Sequence, residues 1–419
     1  MTIRPEMLCR AFSEQFGRAA EHVVRSPGRV NLIGEHTDYN DWFVLPMAID
    51  RAVWLAAAGS EGGRVRVHSL DRRETAEFSL AELRRENAGW IEYFKGVAWC
   101  LSAEGAAAGA DSGSSGTAPD APGAAVSAAQ TGPAPSPALP GFDAVLAGDV
   151  PIGAGLSSSA ALEMAAARLF AALGNQPWQP VPAALLCQKA ENRWVGVNCG
   201  IMDQLACGCG HLGHALRIDC RSLEIEHVPL PAGTAVVVLD TATRRGLADS
   251  AYNERRRQCH AAAEQLGAAA LRDADLPRLE RLAGSLDATT CRRARHVITE
   301  NARTLEAVGA MRRGDASALG ALMNASHASL RDDYEVSCPE LDAMAACARR
   351  HPACFGARMT GAGFGGCAVA LIDAAAAEPF ATETAAAYRT ETGLTPALYV
   401  TYPSAGTEVL APADWVARP

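Results

Sequence analysis

A short stretch near the start of the chain brings together side chains that could do chemistry. Residues 29–40 read RVNLIGEHTDYN, an apolar strand pattern that begins at Arg29 and is followed, after one glycine, by Glu35, His36 and Asp38. Two carboxylates this close repel each other unless a polar or charged group lies between them. The stretch therefore indicates a site that holds something polar, and the rest of the sequence must show what that is.

A second stretch is typical of an anion site. Residues 151–161 read PIGAGLSSSAA, and strong helix formers follow them. Glycines at 153 and 155 allow positive φ and a close backbone approach to a ligand. The free N–H groups and the positive dipole end of the following helix attract anions. Ordinary capping would explain one serine but not three, and the spacing fits neither the Walker nor the dinucleotide pattern. The loop therefore predicts phosphate binding.

A third glycine-rich run, residues 360–367 (TGAGFGGC), comes late in the chain. Glycine at this density weakens a strand, so it needs a reason such as close backbone approach to a ligand or to another loop. Taken alone, the run is nearly as compatible with a plain tight turn. Together with the serine loop, it predicts a nucleotide phosphate chain held between two glycine loops.

The bulk properties limit the classes of protein. A chain of 419 residues exceeds one comfortable core, so two domains are expected. The longest apolar runs are far too short to span a bilayer, and the N-terminus lacks the apolar region of a signal peptide. A formal net charge of −9 argues against a nucleic-acid or anionic-membrane partner. We therefore expect a cytoplasmic protein with no membrane or nucleic-acid partner.

The cysteines indicate a reducing environment. Thirteen of them are scattered through apolar segments, which predicts reduced thiols packed as small core side chains. Residues 207–214 (CGCGHLGH) have neither of the paired spacings of a metal site, so a glycine-rich turn is favoured there over a metal.

Alternating helix and strand patterns flank these motifs and must position them. Strands are predicted at residues 51–59, 64–70, 141–151, 235–245 and 396–404. The fourth of these begins as a continuous apolar run, so we expect it to be buried on both faces. Helices are predicted at residues 87–105, 157–173, 251–282, 294–313 and 316–330. Such interleaving favours an α+β protein with two lobes.

One segment breaks this organisation. Residues 103–140 are dominated by Ala, Gly, Ser and Pro and contain no aromatic residue and no Lys or Arg. A segment of this kind buries too little apolar surface to offset its ordering entropy, so we expect a disordered surface insertion.

Taken together, the motifs resemble the GHMP small-molecule kinases, and the first is typical of galactokinases. The matching stretches are residues 26–40 (SPGRVNLIGEHTDYN), 151–161, 199–204 (CGIMDQ), 249–259 (DSAYNERRRQC) and 359–367 (MTGAGFGGC). The likeness covers essentially the whole chain except residues 103–140. One departure is Trp42, where the family usually has glycine, and it leaves the packing beneath the first motif open.

The resemblance implies a two-lobed α+β GHMP kinase fold, with mixed sheets and helices in both lobes and the active site in the cleft between them. Residues 1–215 would form the N-terminal lobe with the first motif and the phosphate loop. Residues 216–419 would form the C-terminal lobe with the third glycine-rich motif.

The resemblance also implies the substrates. ATP would phosphorylate the anomeric hydroxyl of galactose, giving galactose 1-phosphate and ADP, in the first committed step of galactose catabolism. A sugar explains the acidic cluster, because carboxylates accept short, directional hydrogen bonds from hydroxyl groups; a structural salt-bridge network is the alternative. The implied sugar-binding residues are Glu35, His36, Thr37, Asp38, Gly200 and Tyr252.

The resemblance also implies which residues bind ATP and Mg²⁺ and which take part in the reaction. The implied ATP-binding residues are Gly153, Ala154, Gly155, Leu156, Ser157, Ser158 and Ser159. Ser159 and Glu191 would hold Mg²⁺, which prefers hard oxygen ligands. Asp203 would act as general base with Arg29 beside it, since an arginine keeps a carboxylate ionised and stabilises a transferring phosphoryl group. Whether Asp203 takes the proton early or mainly orients the hydroxyl stays open, and on its own it would be read as a buried capping residue.

Two alternatives remain. Related kinases of this family act on N-acetylgalactosamine, arabinose or galacturonate, but the intact GEHTDYN sequence favours galactose. A non-catalytic galactose-sensing homologue would be expected to carry a damaged serine loop. Here Ser158, Ser159, Asp203 and Arg29 are all present, which predicts an active enzyme, and we expect a monomer whose partners are galactose and ATP.

Overall fold

The computed structural model describes residues 3–102, 139–244, 248–411 and 415. The predicted disordered insertion at 103–140 lies outside the described residues except for its last two positions.

The helices interleave with the strands along the described chain. In order they are α1 (Pro5–Phe16), α2 (Ile91–Leu101), α3 (Ser158–Leu173), α4 (Pro180–Ala190), α5 (Met202–Cys209), α6 (Ala248–Gln265), α7 (Leu276–Leu282), α8 (Ala288–Arg312), α9 (Ala316–Asp332), α10 (Pro339–Arg350) and α11 (Ala377–Thr392). A π-helical turn, Glu191–Val195, follows α4. Across the described ranges, we find no helix with the length and apolar character needed to cross a membrane.

The strands form a six-stranded, a four-stranded and a three-stranded sheet within the described residues. In chain order they are β1 (His22–Asn31), β2 (Phe43–Val44), β3 (Pro46–Ser60), β4 (Arg64–Ser69), β5 (Glu74–Ser79), β6 (Gly141–Gly148), β7 (His214–Asp219), β8 (Ile225–Pro229), β9 (Thr234–Asp240), β10 (Cys354–Met359), β11 (Cys367–Asp373), β12 (Ala397–Thr401) and β13 (Glu408–Val409). The sheet orders are β13-β1-β3-β6-β4-β5, β10-β11-β9-β12 and β2-β7-β8.

The six-stranded sheet is covered on both faces, and successive residues of its strands alternate between the two covers. Val24 and Leu55 face the core formed with α2, α3, α4 and α5, whereas Val23 and Ala56 face α1. β4 and β6 run parallel, and the other pairs of this sheet are antiparallel. The sheet therefore holds β1 and β6 in place, and the first motif begins within β1 while the second follows the end of β6.

The four-stranded sheet organises the second lobe around β9, which pairs with β11 on one side and β12 on the other. Val237 and Leu239 face the core beneath α6, α8, α10 and α11. Val236 and Val238 face a second core that also contains Val30 from β1. β9 is thus buried on both faces, as its apolar run predicts, and its inner face joins the two lobes.

One predicted helix differs from the structure. The helix predicted over residues 251–282 is divided into α6 and α7, because Gly267 adopts φ +65° just after α6 and Asp275 caps a new helix at the Arg278 N–H. The division of lobes at 215/216 remains our proposal. β7 crosses that position, and β13 returns from the end of the chain to pair with β1.

Trp42 supplies the packing beneath the first motif. Its side chain is 4% exposed and belongs to the apolar core of the second lobe. Its carbonyl oxygen accepts a hydrogen bond from the Cys220 N–H at 3.1 Å. An indole therefore fills the space left open by the family's usual glycine and fixes this loop to the second lobe.

We predict that Trp42→Ala lowers the free energy of unfolding by about 3–5 kcal/mol, because the change leaves a large cavity in a packed core. Urea denaturation followed by circular dichroism measures this. Trp178→Ala is the control. Because Trp178 is only half-buried, this substitution should lower the free energy of unfolding by less. A loss at Trp42 no larger than at Trp178 would contradict the core placement.

Candidate active site

The chain turns sharply after β1 to form the sugar loop, which we define as residues 34–43. Gly34 adopts φ +97°, and a Cβ there would lie 3.0 Å from the Phe43 carbonyl oxygen and 3.0 Å from the Thr304 hydroxyl. Only glycine fits, because both the backbone angle and the space exclude a side chain. His36 also has positive φ, +63°, so the turn is strained at a second position.

A cavity of about 150 Å³ lies against this loop, and we call it the sugar cavity. Five of the six predicted sugar-binding residues line it: Glu35, His36, Asp38, Gly200 and Tyr252. Thr37 does not line it. Its side chain is buried, and its hydroxyl lies 2.8 Å from the Gly34 carbonyl oxygen and 2.9 Å from that of Phe43. Thr37 therefore closes the turn.

The two carboxylates of the sugar loop have different surroundings. Oε1 of Glu35 accepts a hydrogen bond from the Gly361 N–H at 2.7 Å and lies 3.5 Å from Arg358. Burial raises the pKa of Glu35, and Arg358 and Arg29 oppose this effect. Burial also raises the pKa of Asp38 to about 7, helped by the negative charges of Asp203 and Glu35. A hydrogen-bond donor bound beside Asp38 would stabilise its ionised form.

Gly200 is required by the position of Asp38. A Cβ at Gly200 would lie 1.7 Å from Oδ2 of Asp38. The absence of a side chain at this position therefore lets the carboxylate reach the cavity.

His36 is held by the protein through both ring nitrogens. Nε2 lies 3.2 Å from the Ala362 carbonyl oxygen, which can only accept, so Nε2 carries the proton. Nδ1 then accepts from the Tyr39 hydroxyl at 2.8 Å. Burial, reinforced by the nearby His296, lowers the pKa of His36 to about 3, so the ring is neutral. Its ring lies 5.6 Å from that of Tyr252, and His36 has no free ring nitrogen to offer a ligand because both nitrogens are engaged.

A larger cavity of about 780 Å³ contains the serine loop. Gly153 and Gly155 have positive φ, as expected, and α3 begins at Ser158 as the serine pattern predicts. The predicted phosphate-site residues that line this cavity are Gly153, Gly155, Leu156, Ser157, Ser158 and Ser159. Ala154 is fully buried in the core between the lobes and does not line the cavity. We call this the nucleotide cavity.

The third glycine run packs its backbone against the serine loop. A Cβ at Gly361 would lie 2.8 Å from the Gly155 carbonyl oxygen, and one at Gly366 would lie 2.8 Å from that of Ala154. Both glycines also have positive φ. The glycines are therefore required for contact between two loops, and residues 362–366 complete the wall of the nucleotide cavity.

The buried Arg29 forms an ion pair with the half-buried Asp203 where the two cavities meet. Nε of Arg29 donates to Oδ1 of Asp203 at 2.9 Å, and Nη2 donates to Oδ2 at 2.8 Å. Nη1 donates to the Gly155 carbonyl oxygen at 2.6 Å, and the Ser157 hydroxyl donates to Asp203. Burial alone would lower the pKa of Arg29, but the carboxylates of Asp203 and Glu35 raise it above its ordinary value. The guanidinium is therefore charged and fixed.

Glu191 is the third polar group shared by both cavities. Its carboxylate accepts from Nε2 of Gln204 at 2.7 Å and from the Ser159 hydroxyl. Burial and the charge of Asp203 raise its pKa. A cation at this position would relieve that repulsion.

Sequence reasoning missed part of the nucleotide cavity and one partner of Glu35. The far end of the nucleotide cavity includes Asp71, Arg72, Trp90 and Tyr93. Trp90 and Tyr93 lie at the start of a helix recognised only as amphipathic, and nothing in the pattern separates cavity-lining aromatic residues from core ones. Arg358, fully buried beside Glu35, was missed because it lies inside an ordinary strand.

The fold and the paired cavities define a small-molecule kinase of the GHMP type. Residues 121–211 match the N-terminal domain of GHMP kinases, and residues 307–390 match their C-terminal domain. A crystal structure of mevalonate kinase, 16% identical, superposes with a TM-score of 0.59 over 91% of this chain and 98% of that chain. The likeness to mevalonate kinase concerns the fold alone.

Within this class the match is more specific. Residues 10–59 match the galactokinase galactose-binding signature. The galactokinase of Roseiflexus sp. (strain RS-1) is 44% identical, over 94% of each chain. The galactokinase of Chloroflexus aurantiacus is 43% identical, over 92% of this chain and 93% of its own. Lactococcus lactis galactokinase, crystallised in complex with galactose, is 34% identical, with a TM-score of 0.84 over 96% of this chain and 98% of that one.

The chain belongs to the galactokinase family. The expected GHMP fold and kinase class are thereby confirmed, with ATP as co-substrate.

We predict that Gly200→Ala raises the KM for the sugar by about tenfold or more, because the new Cβ displaces Asp38 and its charge-assisted hydrogen bonds. Initial rates at saturating ATP measure this. Gly284→Ala is the matched control, since no atom lies within 4 Å of a Cβ there. Equal KM values in the two variants would show that Asp38 does not bind the sugar.

Proposed function

We propose that this protein transfers the γ-phosphoryl group of ATP to the anomeric hydroxyl of α-D-galactose, giving galactose 1-phosphate and ADP. One observation carries the proposal. Arg29, Glu191 and Asp203 line the sugar cavity and the nucleotide cavity at once, so groups bound in the two cavities meet at these three side chains. Membership of the galactokinase family supports the choice of sugar.

The sugar cavity suits a neutral hexose. Its acceptors are the carboxylates of Glu35 and Asp38, which bind hydroxyl groups strongly. Asp203 and Glu191 add a third and a fourth carboxylate, against the single guanidinium of Arg29. An anionic sugar such as galacturonate would be repelled by this excess of negative charge, so the arrangement favours galactose over that alternative.

The nucleotide cavity suits a triphosphate. The N-terminus of α3 and the backbone N–H groups of the two glycine loops would bind the phosphate oxygens. The charged Arg29, fixed by Asp203 and Gly155, would stabilise negative charge on the phosphoryl group in transfer. Because phosphoryl transfer needs positioning and charge stabilisation more than covalent help, these parts suffice for the reaction.

Asp203 would orient the anomeric hydroxyl and accept its proton as the new P–O bond forms. Its carboxylate already accepts two hydrogen bonds from Arg29 and one from Ser157. These donors hold the carboxylate in one place, so it can orient the hydroxyl toward the phosphoryl group before the new bond forms.

The donor set near α3 fits Mg²⁺. Within residues 3–102, 139–244 and 248–411, no group of three or more His, Cys, Asp or Glu side chains could hold a metal ion. Magnesium in nucleotide sites usually takes one or two carboxylates together with substrate phosphates and water, so Ser159 and Glu191 meet the requirement. When bound, the ion would neutralise charge on the β- and γ-phosphates.

We also propose that the protein is cytoplasmic, on the sequence grounds given above, and that it is a monomer. The net charge of −9 and the apolar runs too short for a bilayer support this location.

We predict that ADP release, coupled to NADH oxidation, is fastest with galactose in a panel that includes N-acetylgalactosamine, arabinose and galacturonate. The Asp203→Ala variant should lose at least about a hundredfold in kcat, because the acceptor hydroxyl is no longer oriented. A preference for N-acetylgalactosamine would overturn the choice of sugar. Undiminished ADP release by the variant would remove Asp203 from the chemistry.

We predict that kcat/KM for galactose falls as the pH drops below about 7. The pKa of Asp38 is raised to about 7, so its acceptor form predominates above that pH and is lost below it. The decline should approach about tenfold per pH unit in the acid range, since kcat/KM reports groups of the free enzyme. Asp38→Asn should lower kcat/KM and remove this pH dependence. A wild-type profile that is flat between pH 5 and 8 would contradict the assignment.

A further inference from the structure

The sugar loop is held from the other lobe through its peptide groups. The Gly34 N–H donates to Oε1 of Glu300 at 3.0 Å, and the Phe43 N–H donates to Oδ1 of Asn301 at 3.2 Å. The Glu35 carbonyl oxygen accepts from Nε2 of His296 at 3.2 Å. All three partners lie on α8, so one helix of the second lobe contacts both ends of the loop.

The side chains of His296 and Glu300 belong to a buried polar stripe on α8. Arg293, His296, Glu300 and Thr304 are spaced three or four residues apart, which places them on one face of the helix, and all are nearly or fully buried. Burying polar groups is costly unless each is hydrogen-bonded. An apolar stripe would be buried at a lower free-energy cost, so the presence of polar side chains here needs a specific explanation.

Glu300 is a fixed, ionised acceptor. It is fully buried, and Oε1 also accepts from the Ser326 hydroxyl at 2.5 Å while Oε2 accepts from Arg303 at 2.8 Å. Burial alone would raise the pKa of Glu300, but the nearby charge of Arg303 lowers it to about 2. The carboxylate that binds the Gly34 N–H is therefore charged and held by other partners.

His296 is a neutral donor beneath the Glu35 peptide. A carbonyl oxygen only accepts, so Nε2 carries the proton, and Nδ1 lies 2.9 Å from the Ser329 hydroxyl. Burial lowers the pKa of His296 to about 4. Neither His296 nor Glu300 lines the sugar cavity, so any effect on the ligand must pass through the loop.

We propose that His296 and Glu300 are positioning residues for the sugar: they fix the Gly34 and Glu35 peptide groups and thereby aim the Glu35 and Asp38 carboxylates into the sugar cavity. The loop needs such restraint, because Gly34 and His36 on either side of Glu35 both have positive φ. Without these hydrogen bonds, the turn relaxes and the carboxylates of Glu35 and Asp38 move. The inference rests on galactose being the ligand, as proposed above.

Calorimetric titration of purified full-length variants with galactose, and separately with ATP and Mg²⁺, tests the proposal. His296→Leu should weaken galactose binding about tenfold, because it removes the donor, and His296→Gln should recover most of the loss, since its amide can replace Nε2. Glu300→Gln should also weaken galactose binding. Glu306→Gln is the matched control, because it makes the same chemical change at an exposed position of α8. Binding of ATP should stay within about twofold in every variant.

Each alternative result has a distinct meaning. Folded variants that bind galactose as wild type does would overturn the inference alone. Equal weakening for galactose and ATP, or loss of the folded state in His296→Gln and Glu300→Gln, would overturn it by showing a purely structural role. A wild-type protein that binds no galactose would overturn the proposed function, and the inference with it.

Discussion

The ion pair between the buried Arg29 and the half-buried Asp203 is the interaction on which the rest of the site depends. Arg29 is 4% exposed, and a buried charge is stable only when it is paired and its remaining donors are satisfied. Its partners lie on α5 and on the serine loop, at Gly155. The end of β1, the serine loop and α5 therefore have to meet at one point, between the two cavities.

The backbone of the third glycine run connects the serine loop to the sugar loop. Gly361 touches the serine loop at Gly155 and donates its N–H to Glu35 in the sugar loop. The third glycine run, which borders the nucleotide cavity, is thus hydrogen-bonded to Glu35 of the sugar cavity. Close contact of this kind leaves no room for side chains, which explains the density of glycine better than flexibility does.

Local patterns predicted what local physics determines. The apolar run of β9, the start of α3 at the serines and most of the residues around the sugar cavity followed from periodicity, glycine spacing and family resemblance. The break at Gly267 and the engagement of both His36 nitrogens did not, because each depends on tertiary contacts. The bond from Gly34 to Glu300 spans 266 positions, and no periodicity within α8 reveals its partner.

The most direct measurement of the central claim is a crystal structure with galactose and a non-hydrolysable ATP analogue bound together. The account predicts the anomeric oxygen within hydrogen-bonding distance of Asp203, and the terminal phosphate beside Arg29 and the N-terminus of α3. Galactose bound away from Asp203, or a triphosphate outside the serine loop, would contradict it.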